Sequence, residues 1–266
     1  MPAKIHPTAI VEDGAQLADG VEIGPYAVVR AGVRIGAGTV LGPRCVVEGE
    51  ARIGRGNSFG VGVLIGLAPQ DLKYHGEPSS VEIGDGNVVR EYTSIHRGTG
   101  GGGRLTKIGD GNLIMGYCHV AHDCVIGNKC VFANLTTFGG HVVVEDAVVT
   151  GGLVGFHHFV RIGRFAMVGG CSKISRDVPP YTLVDGNPAS VRGINAVGLR
   201  RKGFDEETRQ ALARAVKELF NSGRNVSNVV REIRAAGPVC PELEHLLSFV
   251  EAVRDGRSGR ALDRRQ

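Results

Sequence analysis

An aliphatic or aromatic residue recurs at every sixth position from Ile5: Val11, Leu17, Ile23, Val29, Ile35, Leu41, Val47, Ile53, Phe59 and Ile65. The step resumes at Ile83, Val89 and Ile95. It resumes again at Ile108 and runs through Ile114, Val120, Ile126, Phe132, Phe138, Val144, Thr150, Phe156, Ile162 and Val168 to Ile174. An amphipathic helix repeats at 3.6 residues and a half-buried strand at 2, so neither sustains a period of six. A hexad repeat predicts a parallel β-helix, with one short strand and one turn in each hexad. Three hexads close one triangular coil, so the whole run makes between eight and nine coils. Stacked strands lie about 4.8 Å apart, which gives a prism roughly 40 Å long with the first hexad position pointing inward.

The register also sorts the cysteines. Cys45, Cys118, Cys124 and Cys130 fall at hexad position five, which elsewhere holds Ala27, Thr39, Ala51, Asn57, Thr93 and Val148. Consecutive hexads lie on different walls, so these thiols read as small buried side chains. The chain's six cysteines form no CxxC pair, and neither a disulfide framework nor a structural zinc site is indicated.

Two interruptions and a tail break the pattern. The first, "LAPQDLKYHGEPSSVE" (67–82), keeps the hexad phase, since positions 65 and 83 are separated by a whole number of hexads. The second, "RGTGGGGRLTK" (97–107), is glycine-rich; no GK[ST] follows, so it reads as a flexible flap and not as a phosphate loop. Long loops in a compact repeat are commonly functional. The prolines of "DVPPYTLVDGNPA" close the last coil, and from about Val191 the pattern turns helical. The expected organisation is a β-helix over 1–190 and a small helical domain of two to four helices over 191–266.

Composition narrows the function classes. The chain of 266 residues carries a net charge of +4 with pI near 8.8, too weakly basic to imply nucleic acid. Residues 1–15 lack an apolar run of signal-peptide length, and no segment approaches the roughly 20 apolar residues of a membrane span. A soluble, cytoplasmic protein is expected.

Stepping one coil from His122 reaches Gly140, and a second coil reaches His158, all at hexad position three of one edge. His119, Asp123, His141 and His157 flank the same outward corner, while His6, His75 and His96 fall elsewhere. Five histidines along one corner invite two chemistries. Neutral imidazoles could bind zinc, or one histidine could serve as general base while the others hold substrate.

The pieces "PQDLKYHGEP", "TSIHRGT", "HVAHDCVIGN", "MVGGCS", "DVPPY", "GNPA" and "RRKGF" occur in that order. With the hexads and the helical tail, they resemble the acyl-carrier-protein-dependent UDP-N-acetylglucosamine O-acyltransferases, which catalyse the first step of lipid A synthesis. The resemblance spans essentially the whole chain. It implies a left-handed coil and a homotrimer with active sites between neighbouring prisms. It also implies transfer of a 3-hydroxyacyl chain from acyl carrier protein to the glucosamine 3-hydroxyl of UDP-N-acetylglucosamine, without cofactor or metal. Carried over by position, His122 is the general base, Asp123 its partner and the Gly140 N–H the oxyanion donor. Asp71 and Lys73 hold the sugar nucleotide, with His119, His141, His157 and His158 lining the cleft. Asn195 and Arg201 help bind the nucleotide, and Gly170 leaves room for a longer acyl chain. An acidic carrier protein would dock on the basic "RRK" segment and Arg164. His158 stands where the family pattern has glutamine, and Val197 where it has an acid. The rivals are the pathway's later N-acyltransferase, which carries an extra N-terminal domain, a trimeric zinc hydratase, and a non-catalytic binding scaffold.

Overall fold

From Lys4–Ile5 to Gly155–Phe156, each strand of the prism hydrogen-bonds, in parallel, to the strand three elements further along the chain. Lys4 faces Glu22, Ile10 faces Val28 and Gln16 faces Arg34, so each wall repeats after three hexads. The computed structural model, which describes residues 1–237 and 240–265, builds three such sheets of 11, 9 and 8 strands. The result is a mainly β, left-handed parallel β-helix followed by helices.

Most strands are two residues long because the chain must turn a corner in every hexad. The second strand residue is the periodic aliphatic one; Ile35, Leu41, Val47, Phe59, Ile65 and Ile114 are all buried on the prism axis. At hexad position four the backbone enters the left-handed region, even where no glycine is present: Tyr92, Tyr117, Asp123, Lys129, Leu135, His141 and Phe159 all have φ between 56° and 64°. That position makes the corner.

Position five supplies a second device. Thr39, Asn57, Asn87 and Asn112 are buried, and each side-chain oxygen accepts the backbone N–H of the equivalent residue one coil on, ending at Cys130. The distances run from 2.7 to 3.2 Å. The ladder satisfies corner N–H groups that the sheets leave unpaired. The position-five cysteines are buried as well. Cys118, Cys124 and Cys130 donate their S–H to the Ala133, Gly139 and Glu145 carbonyls, and burial pushes the Cys124 and Cys130 thiols up to about 12.

The insertions leave the sheets intact. Strand Ser80–Ile83 pairs with Glu50–Ile53 on one side and Leu105–Ile108 on the other. Across the first insertion Phe59 faces Val89, and across the second Val89 faces Ile114. The first loop therefore lengthens its coil by two whole hexads, whereas the second adds one hexad and a single further residue.

Strand Ala189–Ile194 folds back antiparallel on Thr182–Gly186 and seals the end of the prism. Helices α1 (Ala196–Arg201), α2 (Glu206–Val216), α3 (Val226–Ala235) and α4 (Pro241–Arg254) follow, with caps from Asn195, Asp205 and Asn225. They enclose a second apolar cluster that includes Tyr181, Leu199, Leu212, Leu246 and Leu247. A polar clamp fixes them to the prism: Glu145 accepts from Arg161 at 2.6 Å and lies 3.1 Å from His245 of α4. Burial opposes the Glu145 charge, but the bonds from His245 and from the Arg164 N–H hold its carboxyl down at about 2.

The position-five ladder makes a stability prediction. Asn87→Ala removes the acceptor of the Asn112 N–H inside the prism, and an unsatisfied buried donor costs about 1–3 kcal/mol. Thermal or urea unfolding of Asn87→Ala is expected to show a loss of that size or larger, while a wild-type curve would show that the ladder contributes nothing.

Candidate active site

The strand His119–Val120 ends in a corner whose left-handed residue is Asp123, φ 58°. Aspartate and histidine tolerate this conformation better than most residues. One coil on, the equivalent corner residue is His141, φ 62°, and a second coil on it is Phe159, φ 63°. The His141 ring stacks on Phe159 with centroids 4.3 Å apart and meets the His122 ring edge-on at 5.1 Å.

His122 and Asp123 form the centre of the site. His122 Nδ1 lies 2.8 Å from Asp123 Oδ2. A carboxylate only accepts, so Nδ1 carries the proton and Nε2 is left with a free lone pair. The same ring lies against Gly140, where a β-carbon would come within 2.6 Å of Nε2. Glycine is required there by close approach.

The carboxylate is held from the other side by the second insertion. Thr99 donates its N–H to both Asp123 oxygens at 3.1 Å and its hydroxyl to Oδ2 at 2.6 Å. The Asp123 N–H is itself donated to Thr106 Oγ1 at 2.8 Å. Burial works against the charge of Asp123, but the bonds from His122 and Thr99 outweigh it and hold the carboxyl below the usual range. The pKa values of His119, His141 and His158 are lowered as well, chiefly by desolvation, which favours neutral imidazoles.

Three expectations need correction here. His122 is not an outward corner residue: it is 6% exposed, and Asp123 is 5% exposed with residues 98–103 folded over its carboxylate. Those residues are consequently a pinned cover and not a free flap. His96, expected away from this edge, is buried with its ring 5.0 Å from that of His119, and its Nδ1 has no partner among the described residues. Burial, with His119 and His122 nearby, lowers its pKa to about 4. The glycine-rich insertion hides it, since equivalents across that loop, such as Ser94 and His119, no longer differ by a whole number of hexads.

The other predicted residues divide by edge. His119 shares a 2.8 Å hydrogen bond with Ser94 through Nδ1. Asp71 closes a turn by accepting the Lys73 N–H, and its charge reaches His141; Lys73 is exposed. His157 and His158 are exposed, with rings 5.4 Å apart, and the Gly140 N–H donates to His158 Nδ1 at 3.0 Å. Gly170 is not on this edge; it lies against Gly152, on the corner that follows the 11-stranded sheet. Asn195 and Arg201 lie on a third edge, where Asn195 caps α1 and donates to the Phe165 carbonyl. Within one chain, the site gathers His119, His122, Asp123, Gly140, His141, His157, His158 and Asp71, together with His96 and Thr99.

Ligand atoms of His122, Asp123 and His141 all lie within 4.8 Å, so the zinc reading has a geometric footing. The oxygen a cation would take, Oδ2, is already bonded to Thr99 Oγ1 and His122 Nδ1. The His122–Asp123 pair is thus satisfied by hydrogen bonds, while His141 Nε2 stays 4.0 Å from Oδ2. What it offers chemically is an oriented imidazole with one ring nitrogen free, beside a backbone N–H, the parts needed to take a proton and steady a developing oxyanion.

Comparison with known proteins bears on the family of the whole chain. A family model described as Udp N-acetylglucosamine O-acyltransferase, domain 2, matches residues 177–260, and the bacterial transferase hexapeptide model matches residues 2–37 and 105–140. An acyl-[acyl-carrier-protein]–UDP-N-acetylglucosamine O-acyltransferase from Alkalilimnicola ehrlichii is 53% identical over 253 residues, covering 95% of this chain and 98% of the relative. Its namesake from Aliarcobacter butzleri is 53% identical over 229 residues, covering 86% and 88%. Among solved structures, LpxA from Acinetobacter baumannii is 43% identical with a TM-score of 0.92, covering 96% of this chain and 98% of its own. The UDP-N-acetylglucosamine acyltransferase from Campylobacter jejuni is 38% identical with a TM-score of 0.88, covering 93% and 96%.

Proposed function

The chain belongs to the acyl-[acyl-carrier-protein]–UDP-N-acetylglucosamine O-acyltransferase family, and from that premise we propose that it transfers a 3-hydroxyacyl chain from acyl carrier protein to the 3-hydroxyl of UDP-N-acetylglucosamine by general-base catalysis, opening lipid A biosynthesis. The observation that carries the mechanism is the Nδ1–Asp123 bond, which leaves His122 Nε2 free beside Gly140.

A sugar hydroxyl is a poor nucleophile near neutral pH. His122 Nε2 takes its proton as the oxygen bonds to the thioester carbonyl carbon, and Asp123 stabilises the resulting imidazolium. The Gly140 N–H turns from His158 to the new oxyanion, an interaction typically worth a few kcal/mol. Collapse of the tetrahedral centre breaks the C–S bond, and the departing thiolate recovers the proton from Nε2. The step balances with no metal, cofactor or covalent enzyme intermediate. Asp71, Lys73, His119, His141, His157 and His158 hold the sugar nucleotide in this reading.

The distribution of residues over edges favours a homotrimer. Tyr26, Tyr92, Tyr117, Leu135 and Leu153 make an exposed apolar stripe on the edge that also carries Gly170. A second copy placing that edge against the His122 corner covers the stripe and brings Gly170 to the acyl groove. Asn195 and Arg201 reach a nucleotide in the same way, from a neighbour. The exposed Arg164, Arg200, Arg201 and Lys202 suit an acidic carrier protein. No helix among the described residues is long and apolar enough to cross a membrane, and we place the protein in the cytoplasm, where its two substrates would be met.

Acyl transfer from carrier protein to UDP-N-acetylglucosamine tests the reading. His122→Ala is expected to lose about 10²–10⁴-fold in rate, the usual contribution of base catalysis, while sedimenting as the same trimer. An active His122→Ala enzyme, or inhibition of the wild type by a chelator, would favour the scaffold or zinc readings instead.

Chain length gives a second test. A β-carbon at Gly170 would already meet the Gly152 carbonyl oxygen at 3.2 Å, so a larger side chain must extend into the open groove. Gly170→Met is expected to shift preference toward shorter acyl chains; an unchanged length profile would place the ruler elsewhere.

A further inference from the structure

The carboxylate that orients His122 is itself oriented, and the residue responsible comes from the glycine-rich insertion. Thr99 places two donors on Asp123, its N–H on both oxygens and its hydroxyl on Oδ2. It is 5% exposed and lies 24 residues from Asp123 in the chain. Only a chain with the extra length of this coil can reach back over the corner. Glycines make the close approach possible: a β-carbon at Gly102 would come within 2.1 Å of the Asp123 carboxyl carbon, and one at Gly98 within 2.8 Å of Oδ1.

The cover is held in turn by the first insertion. Glu77 accepts the Gly100 N–H at 2.8 Å, and the Tyr74 hydroxyl accepts from Arg97 Nε at 3.1 Å. Arg97 also donates to the Gly66 carbonyl at 2.8 Å. The loop that carries Asp71 and Lys73 is thereby fastened to residues on either side of Thr99.

We propose that Thr99 is a positioning residue of the acyl transfer: its hydroxyl and N–H fix the rotamer of the Asp123 carboxylate and share its charge, so that Oδ2 holds His122 Nδ1–H and Nε2 points to substrate. The inference rests on His122 being the base. Without the Thr99 hydroxyl, the carboxylate loses one of its donors and rotates more freely, and more of its charge falls on the His122 imidazole. Two effects follow in the same variant. The base is aligned for a smaller fraction of the time, and its protonated form is favoured. The other groups facing the pair are His119 on the same strand, His96 from the preceding coil, His141 and His158 from the following ones, and Asp71 acting through His141. None of them bonds to the Asp123 oxygens at hydrogen-bonding distance; His141 Nε2 is 4.0 Å away.

The test is steady-state kinetics of full-length Thr99→Val and Thr99→Ser across pH, beside His122→Ala and Asp123→Asn. Thr99→Val keeps the shape and loses the hydroxyl. Its kcat is expected to fall roughly tenfold, the size of one hydrogen bond to a charged acceptor expressed as a rate. KM for UDP-N-acetylglucosamine should stay within about twofold, and the acidic limb of its pH–rate profile should move to higher pH, opposite to its movement in Asp123→Asn. Thr99→Ser, which keeps the hydroxyl, should restore both. Adding Thr99→Val to Asp123→Asn should cost little more than Asp123→Asn alone. A Thr99→Val enzyme with unchanged kcat and limb overturns the inference. So does one whose KM rises while kcat holds, or one that fails to fold, since those outcomes assign Thr99 to the scaffold. If His122→Ala is fully active, the general-base reading itself has failed; if only the Thr99 variants behave as wild type, the base stands and this inference alone falls.

Discussion

Most corners of the prism hold one residue in the left-handed backbone region, and the candidate active site is built on that constraint. A non-glycine residue there costs roughly 1–2 kcal/mol, which the parallel ladders on either side must offset. Where the corner residues are Tyr92, Tyr117, Leu135 and Leu153, the constraint lines up an apolar edge. Where they are Asp123, His141 and Phe159, it lines up a carboxylate, an imidazole and an aromatic platform, one above another. The strand spacing then sets the distances between them. The scaffold contributes position, and the residue type at the corner decides the chemistry.

The chemistry depends on an imbalance of charge. Burial favours neutral imidazoles at His96, His119, His141 and His158. The buried carboxylate beside them stays ionised because His122 and Thr99 donate to it. A single anion among neutral rings can specify which histidine is oriented and which nitrogen is free. In an exposed corner the same residues would be averaged by water, so the cover formed by residues 98–103 belongs to the site as much as the histidines do. The position-five cysteines, by contrast, belong to the interior: the thiols of Cys124 and Cys130, pushed up to about 12, are closed to nucleophilic chemistry.

Much of this was legible in the sequence because a strict period converts spacing into geometry. The hexad step gave the three walls, the inward row from Ile23 to Ile174, and the stacking of His122, Gly140 and His158. Legibility ended where the period was broken. The glycine-rich insertion, which is not a whole number of hexads, shifted the equivalents upstream of His119, so His96 looked remote and Thr99 looked like part of a loose loop. Burial of Asp123 could not be read either, since it comes from a loop folding back over a corner. Asn195 carries a capping role that its neighbour Gly198 makes visible only in three dimensions. Gly170 lies on a different edge from His122 within one chain, which the resemblance alone could not convey.

The central claim is that His122, oriented by Asp123, is the group whose neutral form takes the substrate proton. The most direct test is the pH dependence of kcat/KM for acyl transfer in the wild type and in His122→Ala, followed from neutral pH downward. Only the unprotonated imidazole can act as base, so the wild type should lose activity about tenfold per pH unit on an acidic limb. The small residual activity of His122→Ala should lack that limb. A limb that persists unchanged in His122→Ala would assign the titrating base to another residue and contradict the account.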